Sequence, residues 1–151
     1  HLNSLSEDKL TQFRGRNLGI VFQQFHLIPH LTAEENVALP LEILGESEKH
    51  QRVAQALESV GLLDRKSHFP HQMSGGECQR VAIARAMVMR PSLILADEPS
   101  GNLDYKTSSQ VMRVLFELVR SQRITMILVT HNDELSKLSD RRLTMHEGRL
   151  C

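Results

Sequence analysis

The order of the apolar segments is the sequence feature that most constrains the fold of this chain. Three short apolar runs are predicted to be strands, at residues 18–22, 93–96 and 124–129. Between them lie longer segments whose apolar residues recur at helical spacing. Strands that alternate with helices favour a largely parallel sheet flanked by helices. The sequence therefore predicts an α/β fold.

A helical insert is predicted between the first two strands, at residues 32–72. Thr32 and Glu35 have the spacing of a capping box, and Ser47 is expected to cap the next helix. Pro40 should kink the first helix of the insert or end its regular part.

Two further elements are predicted near the ends of the chain. A polar helix is expected over residues 4–14, capped by Ser6. A C-terminal hairpin should pair residues 142–145 with residues 149–151, turning at Glu147 and Gly148.

The overall composition excludes several classes of protein. The 151 residues suffice for one domain with its own core. Acidic and basic residues number 18 each, so no net charge would attract nucleic acid, and no basic cluster is interleaved with aromatic residues. No apolar run approaches the roughly 18 residues that span a bilayer. The two cysteines cannot form a disulfide framework, which fits a reducing cytosol.

Two adjacent carboxylates end the second predicted strand. In open parallel sheets, ligands bind outside the carboxyl ends of the strands, where Asp97 and Glu98 would lie. Mg²⁺ takes one or two protein carboxylates, a role that suits Asp97. Glu98 could orient or deprotonate a water that attacks a phosphate. Acidic residues also end strands simply on reaching solvent, but the segment 99–104 that follows makes that explanation unfavourable.

A Ser-Gly-Gly turn, Ser74 to Gly76, precedes a helix rich in small residues. Unpaired amides and the helix dipole favour an anion at a helix start, and glycines allow a phosphate close approach. Two polar residues end the other strands in a similar way. Gln23 could contact Mg²⁺ or its water, and His131 could reach a γ-phosphate.

Taken together, these segments resemble five ordered motifs of the ABC ATPases, which belong to the P-loop NTPases. The motifs are the Q-loop, the signature, the Walker B strand, the D-loop and the H-loop, at Gln23, 73–77, 93–99, 100–104 and His131. The segments 19–23, 27–37 and 96–104 are similar to the lipoprotein-releasing and macrolide-export branch of bacterial transporter ATPases. Glu77 stands where the signature commonly has Gln.

The resemblance implies ATP and Mg²⁺ as ligands and two ATPase domains paired head to tail. Asp97 and Gln23 would then serve the metal, Glu98 would be the general base, and His131 would contact the γ-phosphate. The turn at residues 74–77 would complete the site of the partner subunit. Asp104 would lie at the dimer seam.

The same resemblance divides the chain and places it in the cell. Residues 1–23 would carry the Q-loop strand, residues 24–90 the helical subdomain with the signature, and residues 91–151 the Walker B, D-loop and H-loop core. The ATPase would bind an integral membrane permease from the cytoplasmic face of the cell membrane, with no nucleic-acid partner.

The P-loop sequence Gly-x-x-x-x-Gly-Lys-Ser/Thr occurs nowhere in this chain. We therefore expect an N-terminally truncated ATPase domain, inactive by itself because hydrolysis needs P-loop amides and their Lys around the phosphates. The missing P-loop strand would leave strand 124–129 as an apolar sheet edge. Self-association through that edge, or disorder of the C-terminal hairpin, is the expected result.

Two other functions stay open at this stage. One is a soluble ABC-type ATPase that acts on nucleic acid or ribosomes. The other is a non-catalytic ABC-like binding module. Only about fifty residues separate Gln23 from Ser74, which is too few for the long coiled coil of the DNA-repair branch. The presence of Glu98 and His131 counts against a non-catalytic module.

Overall fold

A three-stranded parallel sheet forms the centre of the molecule. The structure, a computed structural model, describes residues 5–151. The strands are β1 (Leu18–Val21), β2 (Leu93–Asp97) and β3 (Thr125–Val129), in the order β1-β2-β3. In register, Leu18 lies opposite Leu93, which in turn lies opposite Thr125. The predicted parallel sheet is confirmed.

Six α-helices, two short 3₁₀ turns and a hairpin complete the described residues. The helices are α1 (Glu7–Asn17), α2 (Ala33–Ile43), α3 (Lys49–Ser59), α4 (Gly75–Met87), α5 (Tyr105–Ser121) and α6 (Asp133–Ser136). The 3₁₀ turns are Leu63–Arg65 and Pro70–Gln72, and the hairpin strands are β4 (Met145–His146) and β5 (Arg149–Leu150). In residues 5–151, no helix has the length and apolar character needed to cross a bilayer.

The insert between β1 and β2 is helical, as predicted, but Pro40 does not end its first helix. The capping box forms, with the Thr32 N–H donating to the Glu35 carboxylate at 2.7 Å. Pro40 lies inside α2, which continues to Ile43. Leu41, directly after the proline, is fully buried in the core. This burial keeps the last turn helical although Pro40 supplies no N–H.

Two predicted helix starts are wrong in detail. Ser47 does not cap α3, because the N-cap position is Glu48, in a left-handed conformation at φ 58° with no side-chain capping bond. The first helix begins at Glu7 and extends to Asn17, three residues beyond its predicted end. Ser6 occupies its N-cap position, but the hydroxyl makes no capping bond. The predicted residue Ser4 lies outside the described residues.

Helix α4 covers one face of the sheet. A Cβ built on Gly19 would lie 2.4 Å from the Ala86 carbonyl oxygen, so the α4 backbone touches the strand there. Val21 and Ile94 are buried on this same face. On the opposite face, Ile127 is 53% exposed.

Strand β3 forms an edge of the sheet, as predicted. Among residues 5–151 it pairs with β2 alone. The C-terminal hairpin is present, and Glu147 and Gly148 at its turn have φ values of 47° and 77°. Of the two outcomes expected for the apolar edge, only self-association therefore stays a prediction.

Candidate functional site

The parallel strands bring four predicted site residues together at their carboxyl ends. We call this side of the sheet the sheet edge of the site, as distinct from the edge strand β3. Val21 lies opposite Ala96, and Asp97 lies opposite Val129. All three strands consequently end at the same level. Gln23 follows the first strand, Asp97 and Glu98 end the second, and His131 follows the third.

Glu98 is held by the segment that follows β3. One carboxylate oxygen, Oε1, accepts a hydrogen bond from the His131 N–H at 2.8 Å and lies 2.6 Å from His131 Nδ1. The other, Oε2, accepts from the Thr130 hydroxyl at 3.3 Å. The Glu98 N–H donates to the Val129 carbonyl at 2.9 Å. These contacts lock Glu98 to the end of the neighbouring strand.

The backbone of Glu98 is in the left-handed region, with φ 43°. A non-glycine residue adopts this conformation at a cost of about 1–3 kcal/mol, and such residues cluster at functional sites. The turn separates the Glu98 side chain from that of Asp97. Two neighbouring carboxylates are thus placed in different surroundings.

The Asp97 side chain is exposed to solvent. Within residues 5–151, its carboxylate accepts no side-chain hydrogen bond and joins no ion pair. No group of three or more His, Cys, Asp or Glu able to hold a metal occurs among these residues. A free carboxylate without a closed ligand cage suits Mg²⁺, which keeps several waters and binds phosphate oxygens.

Gln23 is docked on the loop that follows Glu98. Its side-chain nitrogen donates to Asn102 Oδ1 at 3.1 Å, and Asn102 Nδ2 donates back to the Gln23 carbonyl at 3.2 Å. A Cβ on Gly101 would lie 2.8 Å from that Gln23 nitrogen, so the Gln23 side chain would have to shift to admit a larger residue at position 101. The side-chain oxygen of Gln23 stays available for a ligand. Sequence reasoning missed the Asn102 contact, because a loop-to-loop pair has no local sequence pattern.

The predicted anion turn at the start of α4 forms a second group. Ser74 caps the helix through a capping box: its N–H donates to Glu77 Oε2 at 2.8 Å, and its hydroxyl donates to the same oxygen at 2.9 Å. The Glu77 N–H donates to Ser74 Oγ at 3.3 Å. The hydrogen bond from the Ser74 backbone N–H lowers the pKa of the Glu77 carboxyl. Glu77 therefore serves the helix start.

The two glycines of this turn pack against the beginning of α5. A Cβ on Gly76 would lie 2.4 Å from Thr107 Cγ2, and a Cβ on Gly75 would lie 3.3 Å from Leu103 Cδ2. Asp104 caps α5, accepting from the Thr107 N–H at 3.1 Å, and hydrogen bonds from Thr107 lower its pKa. Internal packing is thus one reason for glycine at position 76.

The nine predicted site residues fall into these two groups. The sheet-edge group comprises Gln23, Asp97, Glu98 and His131, and the helix-start group comprises Ser74, Gly75, Gly76, Glu77 and Asp104. Among the described residues, no hydrogen bond or ion pair joins a member of one group to a member of the other.

Gln79 links the loop after β1 and the loop after β2 to α4. Sequence reasoning did not single out this residue. Gln79 is fully buried and donates to the Phe22 carbonyl at 3.1 Å and to the Pro99 carbonyl at 2.6 Å. The available signal was a polar amide in a helix otherwise rich in small apolar residues.

Comparison with known proteins gives the family. A family model described as ABC transporter matches residues 2–101. The chain belongs to this family. It is 48% identical over 150 residues to the lipoprotein-releasing system ATP-binding protein LolD 2 of Caulobacter vibrioides, covering 98% of this chain and 66% of that protein. It is 42% identical over 151 residues to the ABC transporter ATP-binding protein YtrE of Bacillus subtilis, covering 99% and 65%.

Solved structures agree with this result. The dimeric structure of a post-hydrolysis state of the ATP-binding cassette MJ0796, bound to ADP and Pi, is similar at a TM-score of 0.82 and 40% identity. The match covers 98% of this chain and 66% of the other. The ABC ATPase fold is therefore confirmed, and the chain spans about two thirds of the length of the relatives it matches.

Proposed function

We propose that this chain is the part of an ABC transporter ATP-binding subunit that carries the Q-loop, signature, Walker B, D-loop and H-loop. The subunit would hydrolyse ATP to drive lipoprotein release or export through a bacterial membrane permease. The observation that carries the proposal is the carboxyl end of β2, where the free Asp97 adjoins the fixed Glu98. Its similarity to a lipoprotein-releasing system ATP-binding protein and to an ABC transporter ATP-binding protein supports it.

Asp97 and the side-chain oxygen of Gln23 would hold the Mg²⁺ that accompanies ATP. Both follow strands that end at the same sheet edge, and both have free oxygen atoms. The bound metal would neutralise charge on the β- and γ-phosphates. The Asp97 carboxylate is free, whereas its neighbour Glu98 accepts hydrogen bonds from the loop after β3.

Glu98 would be the general base. Its Oε1 is occupied by His131, whereas Oε2 has only the long hydroxyl contact from Thr130 and can accept a proton from water. The His131 side chain is 83% exposed, and its contact through Nδ1 leaves Nε2 facing solvent. Nε2 would donate to a γ-phosphate oxygen only in the imidazolium form, in which both ring nitrogens carry a proton. The pair would thus orient both the water and the phosphate that it attacks.

The helix-start group would act on the ATP of a second copy, in a head-to-tail homodimer. Ser74, Gly75 and Gly76 would present helix-start amides to that phosphate, and Asp104 would lie at the seam. Glu77, which the resemblance places among the ligand-binding residues, would act through its capping box with Ser74. The lack of any hydrogen bond or ion pair between the two groups within one chain supports this division.

Residues 1–23, 24–90 and 91–151 would act as the strand, helical and core parts of this domain. The loop after Gln23 and helix α2, which begins at Ala33, would receive a short helix of the permease at the cytoplasmic face of the membrane. Phe25 and Leu27 are half-buried there, and Ile28 is 38% exposed. Coupling to the permease that survives a charge at Phe25 and at Leu27, in a normally folded ATPase, would contradict this docking site.

No observation favours the alternatives, a soluble ATPase on nucleic acid or ribosomes and a non-catalytic binding module. The insert contains only α2, α3 and two short 3₁₀ turns before α4, without a long coiled coil. The 2.6 Å contact between Glu98 Oε1 and His131 Nδ1 supports a catalytic domain over a non-catalytic module.

Replacement of Glu98 tests the proposal. The assay needs a P-loop chimera, in which the P-loop segment of the Caulobacter relative precedes His1. In this chimera, Glu98→Gln should lower turnover about 10²–10⁴-fold, because an amide cannot take a proton. ATP affinity should be retained, and the exposed substitution Glu58→Gln serves as the control. Undiminished turnover would remove Glu98 from the role of base.

A further inference from the structure

Gln79 is one of only two fully buried polar side chains among residues 5–151, the other being Asn36. It lies in the second turn of α4, next to the buried apolar residues Val81 and Ala82. Burying an amide in such surroundings costs free energy unless its hydrogen bonds are made. The partners of this amide therefore indicate why it is there.

Both partners of Gln79 are backbone carbonyls. The side-chain nitrogen donates to the Phe22 oxygen at 3.1 Å and to the Pro99 oxygen at 2.6 Å. Because carbonyls only accept, the nitrogen and not the oxygen must face them. The NH₂ group has two donors, and both are used. One side chain of α4 thus holds the loop after β1 and the loop after β2 at the same time.

The side-chain oxygen of Gln79 is buried without a hydrogen-bond partner among the described residues. Asn36 differs, since its oxygen accepts from the Ile28 N–H at 2.8 Å and its two N–H donors are shared among three carbonyls within 3.1 Å. A buried acceptor without a partner destabilises the fold, because it loses the hydrogen bonds that it makes with water in the unfolded chain. Gln79 tolerates this cost to keep its two donors in place.

The two carbonyls adjoin the residues proposed to carry out hydrolysis. Phe22 immediately precedes Gln23, and Pro99 immediately follows Glu98. We infer that Gln79 is a positioning residue that fixes the loops of Gln23 and Glu98 to the helix that starts at Ser74. This inference rests on the proposed roles of those residues in ATP hydrolysis.

A second α4 side chain holds the same loop further along. Arg85 donates to the Phe25 carbonyl at 3.0 Å and to the His26 carbonyl at 2.7 Å. The segment 22–26 is therefore attached to α4 at both ends. Gln79 differs from Arg85 because it also reaches the loop after β2. A displacement of α4 would be transmitted to Glu98 through the Pro99 contact.

The 151-residue chain itself tests the attachment by amide hydrogen exchange. Gln79→Met keeps the size of the side chain but removes both donors, so exchange in segments 22–26 and 98–103 should accelerate roughly two- to tenfold. Ile83→Val, a fully buried change in the same helix without hydrogen-bonding atoms, is the control and should not accelerate exchange selectively there. Equal acceleration in both variants would overturn the inference.

The P-loop chimera tests the positioning role. Gln79→Met should lower kcat roughly 10- to 100-fold, because small displacements of reacting groups are costly, with the KM for ATP changed less than twofold. In Gln79→Glu, kcat relative to the parent chimera should recover as the pH falls, since a protonated carboxyl can donate one hydrogen bond. An unchanged kcat in Gln79→Met, or a loss confined to KM, would overturn the inference. Failure of Glu98→Gln to lower turnover would instead contradict the proposed function and leave the exchange result standing.

Discussion

The first turn of α4 and the carboxyl end of β2 both present polar groups, but they use them in opposite ways. In the α4 turn, Ser74 and Glu77 satisfy each other in a closed capping box. At the end of β2, Asp97 makes no such bond and Glu98 has a left-handed backbone. In the α4 turn the two side chains satisfy each other's hydrogen bonds. The end of β2 instead has a free carboxylate beside a residue with a strained backbone.

From this difference we expect the two regions to contribute to different properties, the first to folding free energy and the second to ATP hydrolysis. Substitutions in the α4 turn should be measurable as lost folding free energy, because its side chains and glycines serve internal packing and capping. Substitution of Asp97 should affect hydrolysis far more than folding, because its side chain makes no hydrogen bond or ion pair within the described residues. Substitutions in the α4 turn test this expectation, from the largest expected effect on stability to the smallest.

Gly76→Ala should destabilise the 151-residue chain by about 1–2 kcal/mol. Its Cβ would lie 2.4 Å from Thr107 Cγ2, and the overpacking should exceed the gain in helix propensity. Thr107→Ser removes that methyl group, so the double variant should recover at least half of the loss. Urea unfolding measures all three variants. Gly75→Ala, opposed only by the flexible end of Leu103, is the matched control, and an equal effect at both glycines would argue against the packing explanation.

Ser74→Ala should cost about 1 kcal/mol, the usual value for a lost N-cap. Thr32→Ala is its matched control, because Thr32 makes the same capping box with Glu35 at the start of α2. The two variants should lose similar folding free energy in urea unfolding. In the P-loop chimera, only Ser74→Ala should also slow hydrolysis. Equal turnover in both would show that Ser74 has no role beyond its helix.

The smallest effect is a pH dependence of the same capping box. The bond from the Ser74 N–H lowers the pKa of Glu77, so the ionised carboxylate stabilises the folded state above the unfolded-state pKa. This contribution is lost as the pH falls from the unfolded-state value, about 4.3 for Glu, through the lowered folded-state pKa. Between pH 6 and pH 3, unfolding free energy should therefore fall further in the unsubstituted chain than in Glu77→Gln. Parallel pH profiles would contradict the assignment.

The strands and the residues at their carboxyl ends could be predicted from the sequence, because both follow from local patterns. Asp97 and Glu98 directly follow an apolar run, and parallel pairing then brings His131 to the same edge. The long-range contacts could not be predicted in this way. The amide of Gln79 is 20 residues from Pro99 and 57 from Phe22 along the chain.

Local patterns also mispredicted the start of α3 and the end of α2. Ser47 is a good N-cap by type, but the left-handed Glu48 occupies that position. Pro40 is a helix breaker by type, yet the buried Leu41 after it holds the turn in the core. In both cases tertiary packing overrides local propensity.

The most direct test of the head-to-tail arrangement mixes two inactive forms of the P-loop chimera. Glu98→Gln removes the proposed base, and Gly75→Asp places a carboxylate where the turn would meet the partner's phosphate, at an exposed helix start that tolerates negative charge. A mixed dimer then has one site with both changes and one site with neither. We expect ATP hydrolysis to return on mixing, to at most about half the activity of the parent dimer for each mixed dimer. No recovery, with mixed dimers demonstrated to form, would contradict a site shared between two copies.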